Sequence, residues 1–439
     1  MRSERQSNHL DASSLPEGPL CASRCDVNGD TDARTRVLLL VSSLEEGGAE
    51  RQVVELANNL DPADFQVFVC SLSDRVPLAQ GLRQHVQLHV VRKQWRFDLS
   101  TVPRVARLMR RLGIQVVHAF LFDAEIAARL AARLAQVPVI VGSERNADYH
   151  RPWLHAQLLR WTGRWLDALI ANSSAGRRFD IRTLSIPADR IHVIHNGVDT
   201  GRFRPEDSAA ARQRIGLPAA QPVIGMVASF VPKKNHLMFL RMAQRVREQV
   251  RDALFVLVGG GLEAEGDGAL LLRAGGRLHS TSARYTAEVT AELDALDLRK
   301  SCVFLGRRDD MVDVYNACNV TVLTSRHEGT PNVVLESMAC AVPVVATDVA
   351  DNAYVVRNGE TGYLLDVDDV ETMAERVSDL LNDVSRRRAM GQAAREWVTR
   401  EFSTEALGEK TASVYRTLLA GKSAASAARA GVNDTVLTR

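Results

Sequence analysis

Two glutamates, Glu328 and Glu336, bracket a segment whose residue types suit the binding of phosphate and of hydroxyl groups. Between them, Thr330 as an N-cap and Pro331 at the first helical position predict that a helix begins here. The first backbone amides of a helix lack intrahelical partners and lie at the positive end of its dipole, which favours phosphate. A nearby carboxylate can accept hydrogen bonds from sugar hydroxyls. The segment therefore predicts a site for a ligand that contains both a sugar and a diphosphate.

The elements around this segment support the same interpretation. Either glutamate alone is more simply explained as a solvated side chain, because short motifs often arise by chance. Apolar, β-branched runs at residues 320–323 and 342–346 flank the segment and predict a strand–helix–strand unit. With a strand before it and a helix after it, the segment is better explained as a ligand site than as two unrelated glutamates.

Two other strand ends carry residues that could approach a phosphate. Gly47 and Gly48 follow a predicted strand, and glycine allows tight turns and close backbone approach to a ligand. They do not form the G-x-G-x-x-G dinucleotide fingerprint, and a plain turn explains them equally well. Lys233 and Lys234 follow the predicted strand 223–227 and could neutralise a diphosphate. For the lysines alone, a solvated loop is the simpler explanation.

Apolar runs of strand length alternate with helical stretches along most of the chain. This alternation predicts an α/β protein with parallel sheets covered by helices on both faces. Two such series predict two doubly wound, Rossmann-like domains, whose ligands would bind at the carboxyl ends of the strands, in the cleft between the domains. The predicted strands are residues 37–41, 66–70, 86–91, 116–120, 137–141, 168–171 and 192–194, then 223–227, 254–258, 302–305, 320–323 and 342–346.

Polar stretches place the boundaries of these predicted domains. Residues 263–287, where the apolar pattern is lost, are expected to form a surface insertion before a helix that ends near residue 296. The predicted units are a disordered extension (1–34), an N-terminal acceptor-side domain (35–202), a C-terminal nucleotide-sugar domain (203–400), a helix packing back on the first domain (401–421) and a flexible tail (422–439).

Composition excludes several classes of protein. The net charge of +2 over 439 residues gives no reason to expect a nucleic-acid partner, and no apolar run is long enough to span a bilayer. The six cysteines contain no C-x-x-C pair, and the N-terminal stretch lacks the apolar core of a signal peptide. These two features indicate reduced thiols in a cytoplasmic protein. The sequence contains no zinc-type cluster. Asp366 and Asp368 form a D-x-D of the kind that can bind a metal, but this motif falls in a polar loop well past the elements of the cleft and is rejected, so no metal is expected.

Aromatic and basic residues occur together in two predicted helices. Trp153, Trp161 and Trp165 lie near Arg160 and Arg164, and residues 102–112 contain four further arginines. This combination suits peripheral contact with an anionic membrane. The sequence favours the simpler interpretation that both helices pack on their own sheet while the arginines reach into water.

The segment from Glu328 to Glu336 resembles the E-x7-E motif of retaining glycosyltransferases of family 4 (group 1). Those enzymes have the GT-B fold, in which two Rossmann-like domains face a cleft. The resemblance extends from about residue 36 to 419. It also includes Gly47-Gly48-Ala49-Glu50, Ile194-His195-Asn196-Gly197-Val198-Asp199, Lys234, Gly306 and Val342-Pro343-Val344-Val345-Ala346-Thr347-Asp348.

The resemblance implies a division of roles among these residues. Glu336 would bind the ribose of a nucleotide diphosphate sugar, which is a co-substrate rather than a cofactor, and Glu328 would hold the sugar. The family needs no obligatory metal. The acceptor would be a glycan or a lipid-linked glycan of cell-surface polysaccharide or glycoconjugate synthesis. The remaining donor contacts would come from Gly47 and Gly48 of the other domain, Lys234, the amides of Gly329, Thr330 and Asn332, and the helix start at Pro331.

The chain departs from the family pattern at two places near the donor. Ser229 stands where many members have arginine, and whether Lys233 replaces that contact stays open. Phe120 stands where many members have histidine, while His118 matches an earlier histidine of that region and is carried over as a catalytic candidate. A lone histidine at a strand end is more often structural. These departures leave open an inactive member that binds glycans or partners. A nucleotide-sugar epimerase of similar fold is a further alternative, which is less favoured because the motif at the helix start matches transferases better.

Overall fold

The computed structural model describes residues 33–45, 47–95, 98–145, 153–260, 263–265, 269–271 and 280–436. The extension predicted for residues 1–34 lies outside this part of the chain, apart from its last two residues. The first domain alternates strands and helices, namely β1 (Thr35–Val41), α1 (Gly48–Asn59), β2 (Phe65–Ser71), β3 (Gln87–Val90), α2 (Thr101–Leu112), β4 (Val116–Phe120), α3 (Phe122–Ala135), β5 (Val139–Glu144), α4 (Trp153–Gly163), β6 (Ala168–Ala171), α5 (Ser174–Thr183) and β7 (Ile191–Val193).

The second domain repeats the same alternation and ends in a long helix. Its elements are α6 (Ser208–Arg214), β8 (Val223–Val227), α7 (His236–Gln249), β9 (Leu254–Val258), β10 (Glu263–Glu265), β11 (Ala269–Leu271), α8 (Ser280–Ala295), β12 (Cys302–Gly306), α9 (Met311–Ala317), β13 (Val320–Leu323), α10 (Asn332–Ala339), β14 (Val344–Thr347), α11 (Asn352–Val355), β15 (Gly362–Leu365), α12 (Val370–Asn382), α13 (Val384–Glu401) and α14 (Thr404–Val436).

The first sheet is parallel throughout, with strand order β3-β2-β1-β4-β5-β6-β7. The seven strands predicted for this half each overlap one of these strands. Their side chains are buried on both faces of the central strands, as a parallel sheet between helices requires. The two doubly wound, Rossmann-like domains predicted from the alternation are confirmed.

The second sheet, with order β11-β10-β12-β9-β8-β13-β14-β15, differs from the prediction at its edges. The short strands β10 and β11 pair antiparallel and extend the sheet through the stretch that was expected to be a surface insertion. The edge strand β15 was also missed, because it has only four residues and begins with glycine. The helix expected to end near residue 296 is α8, which ends at Ala295.

Helix α14 crosses back from the second domain and completes a layer on the first sheet. Tyr415 is fully buried there in the core that β1 shares with α1. The helix continues to Val436, so the flexible tail predicted from residue 422 is wrong for residues 422–436. This part of the chain is rich in alanine and lacks proline, which favours continued helix. In the described residues, no helix combines the length and the hydrophobicity needed to cross a bilayer.

The chain passes between the domains twice, and the two passages lie side by side. The Val198 amide donates to the Phe402 carbonyl oxygen at 2.8 Å, and the Thr404 amide donates to the Val198 carbonyl oxygen at 3.1 Å. The Gln52 side chain of α1 holds the first passage, because its amide donates to and accepts from the backbone of Gly197 at 2.8 Å each. The two passages are therefore held together by hydrogen bonds between the domains.

Candidate active site

The segment between the two glutamates forms the loop from β13 into α10. Helix α10 begins at Asn332, and its N-cap is Pro331 in an extended conformation, without a side-chain cap. The expectation that Thr330 caps this helix is wrong. Thr330 lies one residue too early, and its hydroxyl instead donates to the carbonyl oxygen of Asn172 in the first domain. The first amides of α10 are thus left without a side-chain cap at the carboxyl edge of the sheet, as the prediction of a phosphate site requires.

Glu336 lies in the second turn of α10 and is almost fully buried. Burial raises the pKa of its carboxyl group, while a hydrogen bond from Tyr315 acts in the opposite direction. The Tyr315 hydroxyl donates to Glu336 Oε2 at 2.7 Å, and Tyr315 is itself fully buried on α9. One carboxylate oxygen is therefore fixed by the protein, and the group is positioned to accept hydrogen bonds from a ligand.

Glu328 forms an ion pair with Lys234 across the ends of two neighbouring strands. The Lys234 ammonium contacts Glu328 Oε1, and both side chains are largely shielded, at 16% and 11% exposed. Lys234 ends a short 3₁₀ helix after β8, and the Thr324 hydroxyl at the end of β13 donates to its carbonyl oxygen at 2.9 Å. The structure thus brings together a cation and a carboxylate that the sequence placed in separate motifs.

Ser229 and Lys233 lie on the same loop after β8, but their side chains are exposed. Lys233 contributes its backbone, because its carbonyl oxygen accepts the Arg326 amide at 2.8 Å. Lys234 is the lysine whose side chain reaches Glu328, so Lys233 and Ser229 lie at the rim of the site.

Gly47 and Gly48 form the start of α1 and face the start of α10 from the other domain. A Cβ atom added to Gly48 would lie 3.4 Å from Nδ2 of Asn332, and one added to Gly47 would lie 2.1 Å from a carboxylate oxygen of Glu50. Gly48 and the start of α10 therefore lie next to each other across the two domains, while Gly47 packs against its own helix.

Asn196, at the end of the first passage between the domains, also links the two domains. Its Nδ2 atom donates to the Thr330 carbonyl oxygen at 3.0 Å and to Asn332 Oδ1 at 2.7 Å. Its Oδ1 atom accepts from the buried guanidinium of Arg145 at 3.1 Å. Asn196 lies in the segment 194–199, which is one of the segments that resemble the family, but no role was predicted for it.

Asp351 makes a second interdomain contact, and no motif in the sequence singled it out. It follows the motif at residues 342–348, and its carboxylate accepts from the Ser174 amide at 2.6 Å and from His195 Nε2 at 2.9 Å. Burial alone would raise the pKa of Asp351, but the hydrogen bonds from His195 and Ser174 outweigh it and lower that pKa.

The structure does not support the catalytic role expected for His118, because its side chain is fully buried. Its Nδ1 atom lies 2.7 Å from the Tyr415 hydroxyl of α14, and its ring packs on Phe120 with centroids 4.2 Å apart. Burial, with the nearby charge of Arg145, lowers the pKa of His118 well below its usual value. His118 is therefore a neutral core residue that anchors α14 to β4.

Asp368, from the rejected D-x-D, lies closer to the site than expected. Its carboxylate accepts from Asn235 Nδ2 at 3.0 Å and from Arg326 at 2.8 Å, on the loop that follows β8 and the loop that follows β13. The Asp368 carboxylate therefore neutralises the guanidinium of Arg326. Over the part of the chain that the structure describes, no three histidine, cysteine or acidic side chains are grouped so that they could hold a metal ion.

Two family sequence models match the two halves of this chain. "Glycosyltransferase Family 4" matches residues 46–202, and "Glycosyl transferases group 1" matches residues 207–397, which contains the site on the second sheet. The chain belongs to the group 1 glycosyltransferases. One relative is a D-inositol 3-phosphate glycosyltransferase from Thermobispora bispora, 29% identical over 81% of this chain and 77% of the relative.

A second relative and a solved structure are similar over most of their length. The Escherichia coli UDP-Gal:alpha-D-GlcNAc-diphosphoundecaprenol alpha-1,3-galactosyltransferase is 27% identical over 66% of this chain and 73% of its own. The Anabaena protein Alr3699/HepE, whose structure contains UDP, superposes with a TM-score of 0.74 at 20% identity over 87% of this chain and 100% of its own. This superposition shows the shared fold, which is GT-B.

Proposed function

We propose that this group 1 glycosyltransferase moves a sugar from a nucleotide diphosphate sugar to an acceptor hydroxyl, with retention of the anomeric configuration. The observation that carries the proposal is the approach of Gly48, from the first domain, to Asn332 at the start of α10 in the second. A diphosphate bound between these walls would meet the backbone at the start of α1 from the first domain and at the start of α10 from the second.

The charged residues fit distinct parts of such a donor. Lys234 would exchange part of its contact with Glu328 for the diphosphate, which leaves a Glu328 oxygen for the hydroxyls of the sugar. Glu336 would accept from the ribose diol through the oxygen that Tyr315 does not hold. Ser229 and Lys233, at the rim, would contact the outer phosphate oxygens.

The reaction would break the bond between the anomeric carbon and the diphosphate and form a bond to the acceptor oxygen. The acceptor proton would leave with the nucleoside diphosphate. Lys234 and the start of α10 would stabilise the charge that develops on this leaving group, which is how fixed dipoles and cations accelerate transfer. Glu328, beside the transferred sugar, would touch the reacting centre, and no metal would be needed.

The acceptor would be a glycan or a lipid-linked glycan of cell-surface polysaccharide or glycoconjugate synthesis. The Escherichia coli relative, named for a diphosphoundecaprenol-linked sugar, supports this class. The reaction would take place in the cytoplasm, with peripheral contact at the inner membrane surface. Free thiols are typical of a reducing compartment, and the four cysteines that the structure describes are free and buried, namely Cys70, Cys302, Cys318 and Cys340.

Thermal-shift screening of nucleotide sugars, followed by NMR of the product, tests the proposal. A true donor should raise Tm by an amount that grows with its affinity, and it should yield a product with the donor's anomeric configuration. An inverted product would refute retention. Binding without turnover would indicate the inactive alternative, and release of an epimerised free sugar would indicate the epimerase.

A further inference from the structure

Three neighbouring helices, α2, α3 and α4, cover one face of the first sheet. They pack side by side, and each places apolar side chains in one common core, among them Val105, Ala128 and Leu159. Because these inner faces are buried against the sheet, the opposite faces of the three helices form a continuous outer surface of the first domain.

Helix α4 exposes large apolar side chains on this surface. Trp153, Leu154 and Trp161 are 75%, 56% and 49% exposed. Trp153, Arg160 and Trp161 lie at helical spacing on one stripe, and the Arg164 guanidinium lies 4.9 Å from the centre of the Trp161 ring. Soluble proteins rarely expose large apolar side chains together unless the surface binds something.

Helices α2 and α3 add positive charge to the same surface. Arg107, Arg110 and Arg111 are exposed on α2, and Arg133 is exposed on α3 beside Leu134, which is 52% exposed. All residues of α2, α3 and α4 are described, and their exposed positions include a single carboxylate, Asp123, which pairs with Lys93 at 3.0 Å.

We propose that this three-helix face, defined by Arg107, Arg111, Leu134, Trp153 and Trp161, docks on the surface of an anionic lipid bilayer. Tryptophan has an apolar body and a polar N–H group, and it prefers the depth of the lipid headgroups. Leucine side chains insert beside it, and arginines pair with lipid phosphates in proportion to the anionic charge of the membrane. A nucleic acid would use the arginines but leave the protruding leucines exposed.

The three-helix face adjoins the cleft. Helices that connect parallel strands run antiparallel to them, so the first residues of α2, α3 and α4 lie at the carboxyl edge of the first sheet. Trp153 and Leu154 therefore lie at the edge where Gly48 meets the second domain. A docked protein would hold its cleft close to the bilayer, where a lipid-linked acceptor is found. The docking itself does not depend on the proposed transfer.

Cosedimentation of the full chain with vesicles, without any donor, tests the proposal. Binding should be strong with mixed phosphatidylcholine and phosphatidylglycerol, weak with phosphatidylcholine alone, and reduced by salt. The variants W153A/W161A and R107Q/R111Q should each bind at least roughly tenfold more weakly. The control R251Q/R388Q removes two exposed arginines of the second domain and should bind as the unchanged protein does. Unchanged vesicle binding by both face variants, or equal binding to neutral vesicles, would overturn the proposal.

Quenching by brominated acyl chains gives a second, site-specific result. Tryptophan emission should be quenched on mixed vesicles, and the quenching should be lost in W153F/W161F although Trp95, Trp165 and Trp397 remain. Tighter binding to duplex RNA than to vesicles would assign the face to nucleic acid. A dimer that forms in sedimentation velocity without lipid and dissociates in W153A/W161A would assign it to a second copy of the chain. Either result would overturn the membrane proposal.

Discussion

The Asp351 carboxylate of the second domain accepts the backbone amide of Ser174, the first residue of α5 in the first domain, at 2.6 Å. The Ser173 hydroxyl already caps this helix by accepting from the Gly176 amide at 3.0 Å, which leaves the Ser174 amide for Asp351. A carboxylate at a helix start is favoured by the helix dipole. Together with the bond from His195, this contact holds the two domains in a closed arrangement.

Replacing Asp351 with Asn should loosen that arrangement. The variant replaces a charged acceptor with a weaker neutral one and should be less stable by about 1 kcal/mol. Small-angle scattering should show a larger radius of gyration, because the domains separate more often. The matched control is Asp207→Asn, which makes the same substitution at a helix cap inside one domain, where Asp207 accepts from the Ala210 amide at 2.7 Å. An equal expansion in both variants would contradict the role of Asp351.

The same contact predicts a loss of stability in acid. Because the pKa of Asp351 is lowered in the folded protein, its stabilising contribution is present above the usual aspartate pKa of about 3.9 and is lost as pH falls through the folded value. The radius of gyration should therefore increase below about pH 4 in the unchanged protein. Asp351→Asn should show a smaller change over that range, and an identical pH dependence in both proteins would exclude Asp351 as its cause.

The pair of Lys234 and Glu328 predicts two different effects on binding. Lys234→Met should weaken binding of a nucleoside diphosphate about tenfold or more, because it removes a cation from the diphosphate and leaves Glu328 unpaired. Glu328→Gln should change that affinity little, but it should weaken binding of the nucleotide sugar and lower turnover. Calorimetry with UDP and with UDP-sugars separates these effects, and equal losses for both ligands in Glu328→Gln would refute its contact with the sugar.

Tyr315→Phe tests whether the Glu336 carboxylate holds the ribose. Without the hydroxyl, burial raises the pKa of Glu336 further, because the opposing hydrogen bond is gone. Donor affinity should increase as pH rises through this pKa, since the ionised carboxylate is the stronger acceptor. The midpoint should lie at higher pH in Tyr315→Phe than in the unchanged protein. A pH-independent affinity in both proteins would show that Glu336 does not bind the ligand as a carboxylate.

Local patterns were enough to predict the two domains and the residues of the cleft, but not the contacts between distant segments. The apolar strand runs and the motif at Glu328 and Glu336 are each contained in a few consecutive residues. Tyr315 meets Glu336 only because α9 and α10 pack in one core. The contacts of Asn196 and Asp351 depend on how the domains close, which no periodicity in either domain encodes.

The structure departs from the sequence-based expectation at His118 and at Thr330 for similar reasons. His118 lies on a strand whose covering layer is α14, almost 300 residues later, so the sequence around β4 could not show that its ring is buried. Thr330 has the residue type of a cap, but Pro331 takes the cap position, and the Thr330 hydroxyl finds a carbonyl oxygen in the other domain. In both cases a tertiary contact decided the role of a residue that local rules assign otherwise.

His118→Gln tests the structural role assigned to that residue. It should lower the free energy of unfolding by about 1–3 kcal/mol, because the buried Tyr415 hydroxyl loses a well-placed partner, while donor affinity stays unchanged. The pKa of His118 is lowered in the folded protein, so its contribution to stability is present above the usual histidine pKa of about 6.5 and lost as pH falls. Urea unfolding at pH 7 and pH 5 should show a smaller pH effect in the variant. Loss of turnover at unchanged stability would restore a catalytic role.

A graded series of glycine substitutions tests the close approach of the cleft walls. A Cβ atom at position 329 would lie 2.9 Å from the Asn172 side chain, which donates to the Arg145 carbonyl oxygen and cannot move away freely. Gly329→Ala should therefore push the domains apart and weaken donor binding. Gly48→Ala, with 3.4 Å to Asn332, should have a smaller effect, and Gly260→Ala, with no atom within 4 Å, should have none. The order should be the same in donor affinity and in the radius of gyration, because one steric contact causes both. Equal effects of Gly329→Ala and Gly260→Ala would show that the walls do not meet as the structure has them.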